Sequence, residues 1–287
     1  MVHRAERALS VQVLAAVLLG ALLHASWNML VKARPDKHVA TAILYTSSGL
    51  IAAALLPFLP APDAASWPFL AVSTVLELLY GIVLATAYRV GDLSHAYPLM
   101  RGTAPLLVAA ASSAFLGERL SAAVWLGIAL LSCALISLVF EGRSRRQPSA
   151  ATGLALFNAV LIAAYTMVDG VGSRRSGHAV AYGFWLFALI GVPWFLWAAI
   201  AHRRDDWAKV RAGMPIGMLC GAFSLASYVL ALWAMTRAPI ASVAAVRETS
   251  IVFGTILGAF VLHEHVTWIR ASAACVIAAA VWIIRSH

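Results

Sequence analysis

Two arginines and three acids stand inside stretches otherwise too apolar to tolerate them. Arg101 and Arg247 lie in long hydrophobic runs, as do Glu77, Asp169 and Glu248. A charged side chain at the centre of a bilayer costs about 2.5–3.5 kcal/mol on insertion scales, so each is a functional lead. The two arginines could line a cavity from opposite sides and hold or gate an anionic group. Alternatively, each neutralises a buried acid or reaches a headgroup along its stem. Glu77, out of water, is a candidate proton carrier or else the fixed partner of Arg101. Leu84 and Tyr88 share its helical face. Asp169 shares a face with Asn158, Ile162 and Tyr165, which suits a cavity wall, but it lies close to a span end and is expected to be hydrated. His24, Trp27 and Asn28 fall within about 100° on one helix face. They could contact a polar or aromatic solute or bond a neighbouring helix. Arg247 and Glu248 are adjacent and point about 100° apart, so at least one must find its partner on another helix.

No enzyme or metal signature competes with this reading. His263-Glu264-His265 is not H-E-x-x-H, and histidines two apart point to different sides of a helix. There is no Walker motif, nucleophile elbow or Cys/His ligand spacing. Cys133, Cys220 and Cys275 lie far apart in apolar segments and read as small hydrophobes. No cofactor is expected.

The elements that position these residues follow from composition. The chain of 287 residues is 62% hydrophobic and 11% charged, where a soluble domain has roughly 25% charged residues. The formal charge of +9 resides in short links, as expected of loops near lipid headgroups, and argues against a nucleic-acid partner. Ten spans are predicted: Leu9 to Val31, Val39 to Leu59, Pro68 to Val90, Ser94 to Gly117, Ala122 to Phe140, Ala150 to Val171, Ala179 to Ala201, Met214 to Met235, Pro239 to Leu262 and Thr267 to Ile284. Continuous apolar runs of this length mean helices, because only helices or closed barrels satisfy the backbone in lipid. The first run continues past Trp27 and reads as a span rather than a cleaved leader. Tyr97, Pro98 and Pro105 predict an irregular, locally unwound fourth helix. Gly213-x-x-x-Gly217-x-x-x-Gly221 and Gly254-x-x-x-Gly258 predict close helix packing.

The spans repeat. Arg101 precedes Glu118 by seventeen positions, and Arg247 precedes Glu264 by the same number. At the separation between Arg101 and Arg247, Thr103 matches Thr249, Leu116 matches Leu262 and Ser121 is answered by Thr267. On the first helices, Ala25 and Trp27 fall opposite Ala163 and Tyr165. Five spans per copy is odd, so a shared fold requires the second copy to be inverted. The expected class is an all-α integral membrane protein with ten transmembrane helices in two inverted five-helix repeats. The first repeat covers 1–140, a linker 141–149 and the second repeat 150–287. With the N-terminus inside, seven basic residues fall in inside links and twelve in outside links, so the positive-inside bias leans toward termini outside without deciding it.

Leu23-His24-Ala25-Ser26-Trp27-Asn28 and Phe115-Leu116-Gly117-Glu118-Arg119-Leu120-Ser121 carry a resemblance. They resemble EamA-type members of the drug/metabolite transporter superfamily over nearly the whole chain. In the second copy, Val261-Leu262-His263-Glu264-His265-Val266-Thr267 departs at Gly and Arg but keeps Glu. The link Pro60 to Ser66 lacks the basic residues usual in the family. The resemblance implies ten helices, a central cavity between the halves, transport of a small metabolite and no cofactor. The expected function is secondary transport by alternating access, with proton coupling through Glu77 as a candidate, in the inner or cytoplasmic membrane. His24, Trp27, Asn28, Tyr88, Arg101, Tyr165 and Arg247 are the substrate-cavity candidates. The expected partners are a small-molecule substrate and the bilayer, with a homodimer left open. The alternatives are an intramembrane enzyme on a lipid-linked substrate and a non-transporting scaffold or sensor.

Overall fold

Among the described residues, ten helices are long and apolar enough to cross a membrane, the number the hydrophobic runs predict. The computed structural model describes residues 9–32, 34, 37–141, 148–201, 206–261, 263 and 265–287. Leu262 and Glu264 of the sequence repeat, with the basic residues at 4, 7, 143, 145, 146, 203 and 204 in the charge count, lie outside the described residues. The first five spans are α1 (Val11–Lys32), α2 (Lys37–Leu55), α3 (Trp67–Val90), α4 (Leu93–Leu116) and α5 (Ala122–Ser137). Then follow α6 (Ser149–Arg175), α7 (Ala179–Ala201) and α8 (Asp206–Met235). The ninth span is split into α9 (Ile240–Arg247) and α10 (Ser250–Val261), and α11 (Trp268–Ser286) completes the ten.

Helix ends follow local chemistry and repeat it between the halves. Ser121 and Thr267 each cap a helix, accepting from the amides of Val124 and Arg270. A side-chain oxygen there satisfies a donor the first turn leaves over. Upstream, Gly117 ends α4 in the left-handed region at φ 66°, and the amides of Gly117 and Glu118 turn back onto the Ser112 carbonyl. The matching residue after α10 is His263, at φ 54°. His263 thus takes the left-handed conformation that glycine takes at 117, at a steric cost.

Small residues set the closest crossings. A Cβ on Gly49 of α2 would lie 2.7 Å from the Gly191 Cα of α7, and the reverse distance is also 2.7 Å. Gly213, Gly217 and Gly221 line α8 where it crosses α2. A Cβ at 213 would meet Ile43 at 3.0 Å, one at 221 the Ser48 amide at 2.7 Å, and one at 217 would collide with Ile43. These glycines do what the spacing predicts. Gly254 does not, since nothing lies within 4 Å of a Cβ there.

α1 packs on α8 and α10, while α6 packs on α3 and α4; α2 packs on α7, and α5 on α11. Two apolar clusters result. One joins Val13 and Val17 to Leu131, Ile240 and Ile277, and the other joins Leu70 and Met100 to Ile162, Leu186 and Leu232. Each draws on both halves of the chain.

The expected unwinding of α4 is corrected. Pro98 and Pro105 lie inside a helix that runs unbroken from Leu93 to Leu116. A proline removes one backbone bond, which a helix packed on several sides tolerates, and α4 has α5, α6 and α9 against it. The interruption falls in the ninth span instead. There the amides of Glu248, Thr249 and Ile251 donate to Ala245, Val246 and Glu248, each three residues back. That is a tight turn of the 3₁₀ kind, which in mid-helix often marks a hinge or strain.

Candidate functional site

The interruption in the ninth span faces the polar centre of the bundle. Glu248, at the turn, extends to α4, where its Oε2 lies 2.8 Å from the Arg101 Nε. The residues are 5% and 7% exposed. Arg101 therefore has Glu248 as its partner, and the alternative that Glu77 fills that place is corrected. Adjacent residues on a helix could not pair with each other, and Glu248 solves the problem by crossing to a neighbouring span.

Arg247 points elsewhere. Its guanidinium sits over the Tyr228 ring of α8, 5.0 Å from the centroid. The Tyr228 hydroxyl donates to Oδ2 of Asp169, and Tyr182 donates to Oδ1 at 2.9 Å. Asp169 is 0% exposed. The expectation that it is hydrated at a span end is overturned. α6 extends to Arg175, more than a turn beyond Asp169, and two phenols from α7 and α8 replace water. Burial of a carboxylate is tolerated when charge-assisted hydrogen bonds satisfy its oxygens. Glu77 is half-buried on α3, within electrostatic reach of Asp169 and Arg247. Asp169, Tyr182 and Tyr228 had no full sequence signal. Tyr182 and Tyr228 occupy apolar runs where nothing in the spacing distinguishes a polar contact from a packed ring.

The other candidates distribute around this centre. Tyr165 is buried on α6, its ring edge-on to Tyr80 of α3 at 5.7 Å. His24 lies edge-on to Trp27 at 5.0 Å and within electrostatic reach of Arg101 and Arg247. Asn28 donates to the His24 carbonyl of its own helix at 2.8 Å, so this bond holds no second helix. The Trp27 indole N–H is buried without a hydrogen-bond partner. Tyr88 is half-buried further along α3, within electrostatic reach of Tyr80, Tyr97 and Arg101. Asn158, on the same face as Asp169, is buried with its amide on the Met100 sulfur at 3.4 Å. Among the described residues no three His, Cys, Asp or Glu side chains gather as a metal site.

A second polar assembly closes one end of the bundle. Glu118, from the link after α4, accepts the Ile240 amide at 3.0 Å, at the start of α9, where Pro239 supplies no side-chain cap. It also pairs with Arg174 at 2.8 Å, and Arg174 donates to the Met235 and Ala238 carbonyls at 2.7 and 2.9 Å. One carboxylate thus ties the link after α4 to the end of α6 and the start of α9. A cleft of about 310 Å³ lies beside it, lined by Pro60, His178, Trp233 and Arg237 among others. It is at this end and away from the central carboxyls.

Residues 150–286 match the model of the EamA-like transporter family. No curated protein matches the chain. One solved crystal structure of a protein superposes with a TM-score of 0.70 at 18% identity, covering 94% of this chain and 98% of that one. At that identity the likeness is one of fold.

Proposed function

We propose, for a membrane transporter whose residues 150–286 belong to the EamA-like family, that it carries a small metabolite or drug-like solute by alternating access through the centre of the bundle. The family is one of transporters, and the chain is a multi-pass membrane protein; we place it in the inner or cytoplasmic membrane. The two five-helix units, 1–140 and 150–287, are related by inversion in this reading. Its support is that several main span pairings persist when each span is exchanged for the one five places on, while α2 on α8 has only a smaller counterpart in α7 on α3. α1 on α8 becomes α6 on α3, α4 on α6 becomes the ninth span on α1, and α2 on α7 maps to itself. The self-paired spans meet at Gly49 and Gly191, each the other's close contact. Carriers of this design bind solute near mid-membrane at the repeat interface and rock one unit against the other.

The single observation that carries the reading is the gathering of Asp169 and Arg247 on Tyr228 at the meeting of α6, α8 and α9, with Glu77 of α3 in electrostatic reach of both. Charges there are costly in hydrocarbon and belong to a solute or ion path. Glu77, half-buried where Asp169 is enclosed, is the proton-coupling residue. The test is solute flux in proteoliposomes with and without a pH gradient. Glu77→Gln is expected to abolish the gradient dependence while leaving the protein folded. An unchanged dependence removes Glu77 from the role.

A further inference from the structure

The cleft of about 310 Å³ beside Glu118 has one charged wall and one apolar wall. Arg237 and His178 form part of the first, and Leu59, Pro60, Val180 and Trp233 the second. They come from the link before α3, the head of α7 and the end of α8 with its following link. Arg174 lines the cleft too, but Glu118 meets its charge at 2.8 Å. Arg237 is held differently. Its Cζ lies 4.1 Å from the Trp233 ring centroid, and its Nη1 donates to the Thr236 hydroxyl at 3.1 Å. It is exposed and enters no ion pair among the described residues. Stacking fixes the plane of the guanidinium, and one neutral hydrogen bond leaves most of its five donors for another acceptor.

The head of α7 meets the same space. The Tyr182 amide donates to the His178 carbonyl, and Ala179, Val180 and Ala181 of the first turn line the cleft. The leading amides of a helix have no acceptor within it, and its dipole favours an anion there. Asp63 stands behind Gly177, where a Cβ would meet its carboxylate at 2.8 Å, and is not a lining residue. A phosphate has oxygens enough for a guanidinium fork and helix amides together. Trp233 and Leu59 offer an apolar surface to whatever the phosphate is esterified to, at a membrane face where arginine and tryptophan commonly meet headgroups.

We propose that this cleft binds the phosphate group of a phosphate ester, with Arg237 as its main contact and the head of α7 beside it. The site is apart from the central carboxyls and does not depend on which solute is carried. A lipid headgroup and a soluble phosphate ester share this chemistry.

Thermal unfolding of the purified, delipidated protein in neutral detergent at constant ionic strength tests it. The additions are dihexanoylphosphatidylglycerol, glycerol 3-phosphate and dihexanoylglycerol, which lacks the phosphate. A saturable rise in unfolding temperature is expected with the first and none with the last. A rise with dihexanoylphosphatidylglycerol alone upholds the site and makes its source a lipid headgroup. A rise with glycerol 3-phosphate as well upholds it as open to soluble esters. Arg237→Gln is expected to weaken the response by about tenfold or more in apparent Kd. Val180→Glu places a fixed carboxylate in the first turn of α7, where an acid favours the helix. It is expected to fold and to lose the response, and it decides the matter if Arg237→Gln fails to fold. No saturable rise with either phosphate ester, an equal rise with dihexanoylglycerol, or a response unchanged in Val180→Glu overturns the proposal.

Discussion

Arg101 and Glu248 show how a charge is kept in an apolar bundle. Each alone would be an uncompensated ion at 7% or 5% exposure. Removing one partner of a buried pair typically costs about 3–5 kcal/mol, whereas replacing both by apolar groups is often neutral. Arg101→Met and Glu248→Leu are therefore each expected to lower thermal stability strongly, and the double variant to recover most of the loss. A double variant as unstable as the sum of the singles would mean the pair is not a unit. His263 carries a different cost. It holds φ 54° where the first copy has glycine, and a left-handed residue with a Cβ is strained by about 1–2 kcal/mol. His263→Gly should raise stability by about 1 kcal/mol, read as a higher unfolding temperature in detergent. No gain would mean the imidazole makes a contact that repays the strain.

At the scale of elements, the ninth span is held at both ends of its first half. Its tight turn at Glu248 is tied to α4 through Arg101, and its beginning is capped by Glu118 from the link after α4. α9 is therefore clamped to the first half of the chain, while α10 beyond the turn is not fastened by either contact. Glu118→Ala removes an acceptor from the Ile240 amide and a partner from Arg174. Hydrogen bonds to charged groups contribute about 1.5–3 kcal/mol, and a loss of that order is expected. Glu118→Gln keeps an acceptor but not the charge, so it should lose less. Equal effects of the two substitutions in thermal unfolding would show that the ion pair to Arg174 contributes nothing.

For the molecule as a whole, the crossing of α2 and α7 at Gly49 and Gly191 is where the two proposed units meet on their own symmetry. A methyl on either glycine would intrude on the other's backbone at 2.7 Å, so the two helices would have to part. Gly49→Ala and Gly191→Ala are expected to cost stability by similar amounts and to lower flux. A tolerated change at one with a severe change at the other would argue against the inversion. Ten crossings also put the links at 56–66, 117–121, 176–178 and 236–239 on the same face as the C-terminus. Cysteines placed at Ala61, Arg119 and Gly177 should share one pattern of labelling by an impermeant reagent, opposite to one at Gly91.

Span number was legible in the chain because it depends on local chemistry. Twenty apolar residues have one low-energy form in lipid. Ser121 and Thr267 cap because an oxygen at that position satisfies a free amide wherever the helix lies. The need for Glu248 to find a partner on another span was legible too, from the 100° step of a helix. Which span supplied the partner was not. Arg101 pairs with Glu248 rather than Glu77, and Asp169 is sealed by Tyr182 and Tyr228 rather than wetted, because those outcomes depend on which helix faces pack together. Residues 59 apart in sequence, such as Asp169 and Tyr228, meet only when the bundle closes. The prolines of α4 predicted a weakness at the wrong place for the same reason: packing holds a damaged helix together, and the break falls instead at Glu248, which is paired with Arg101 of α4.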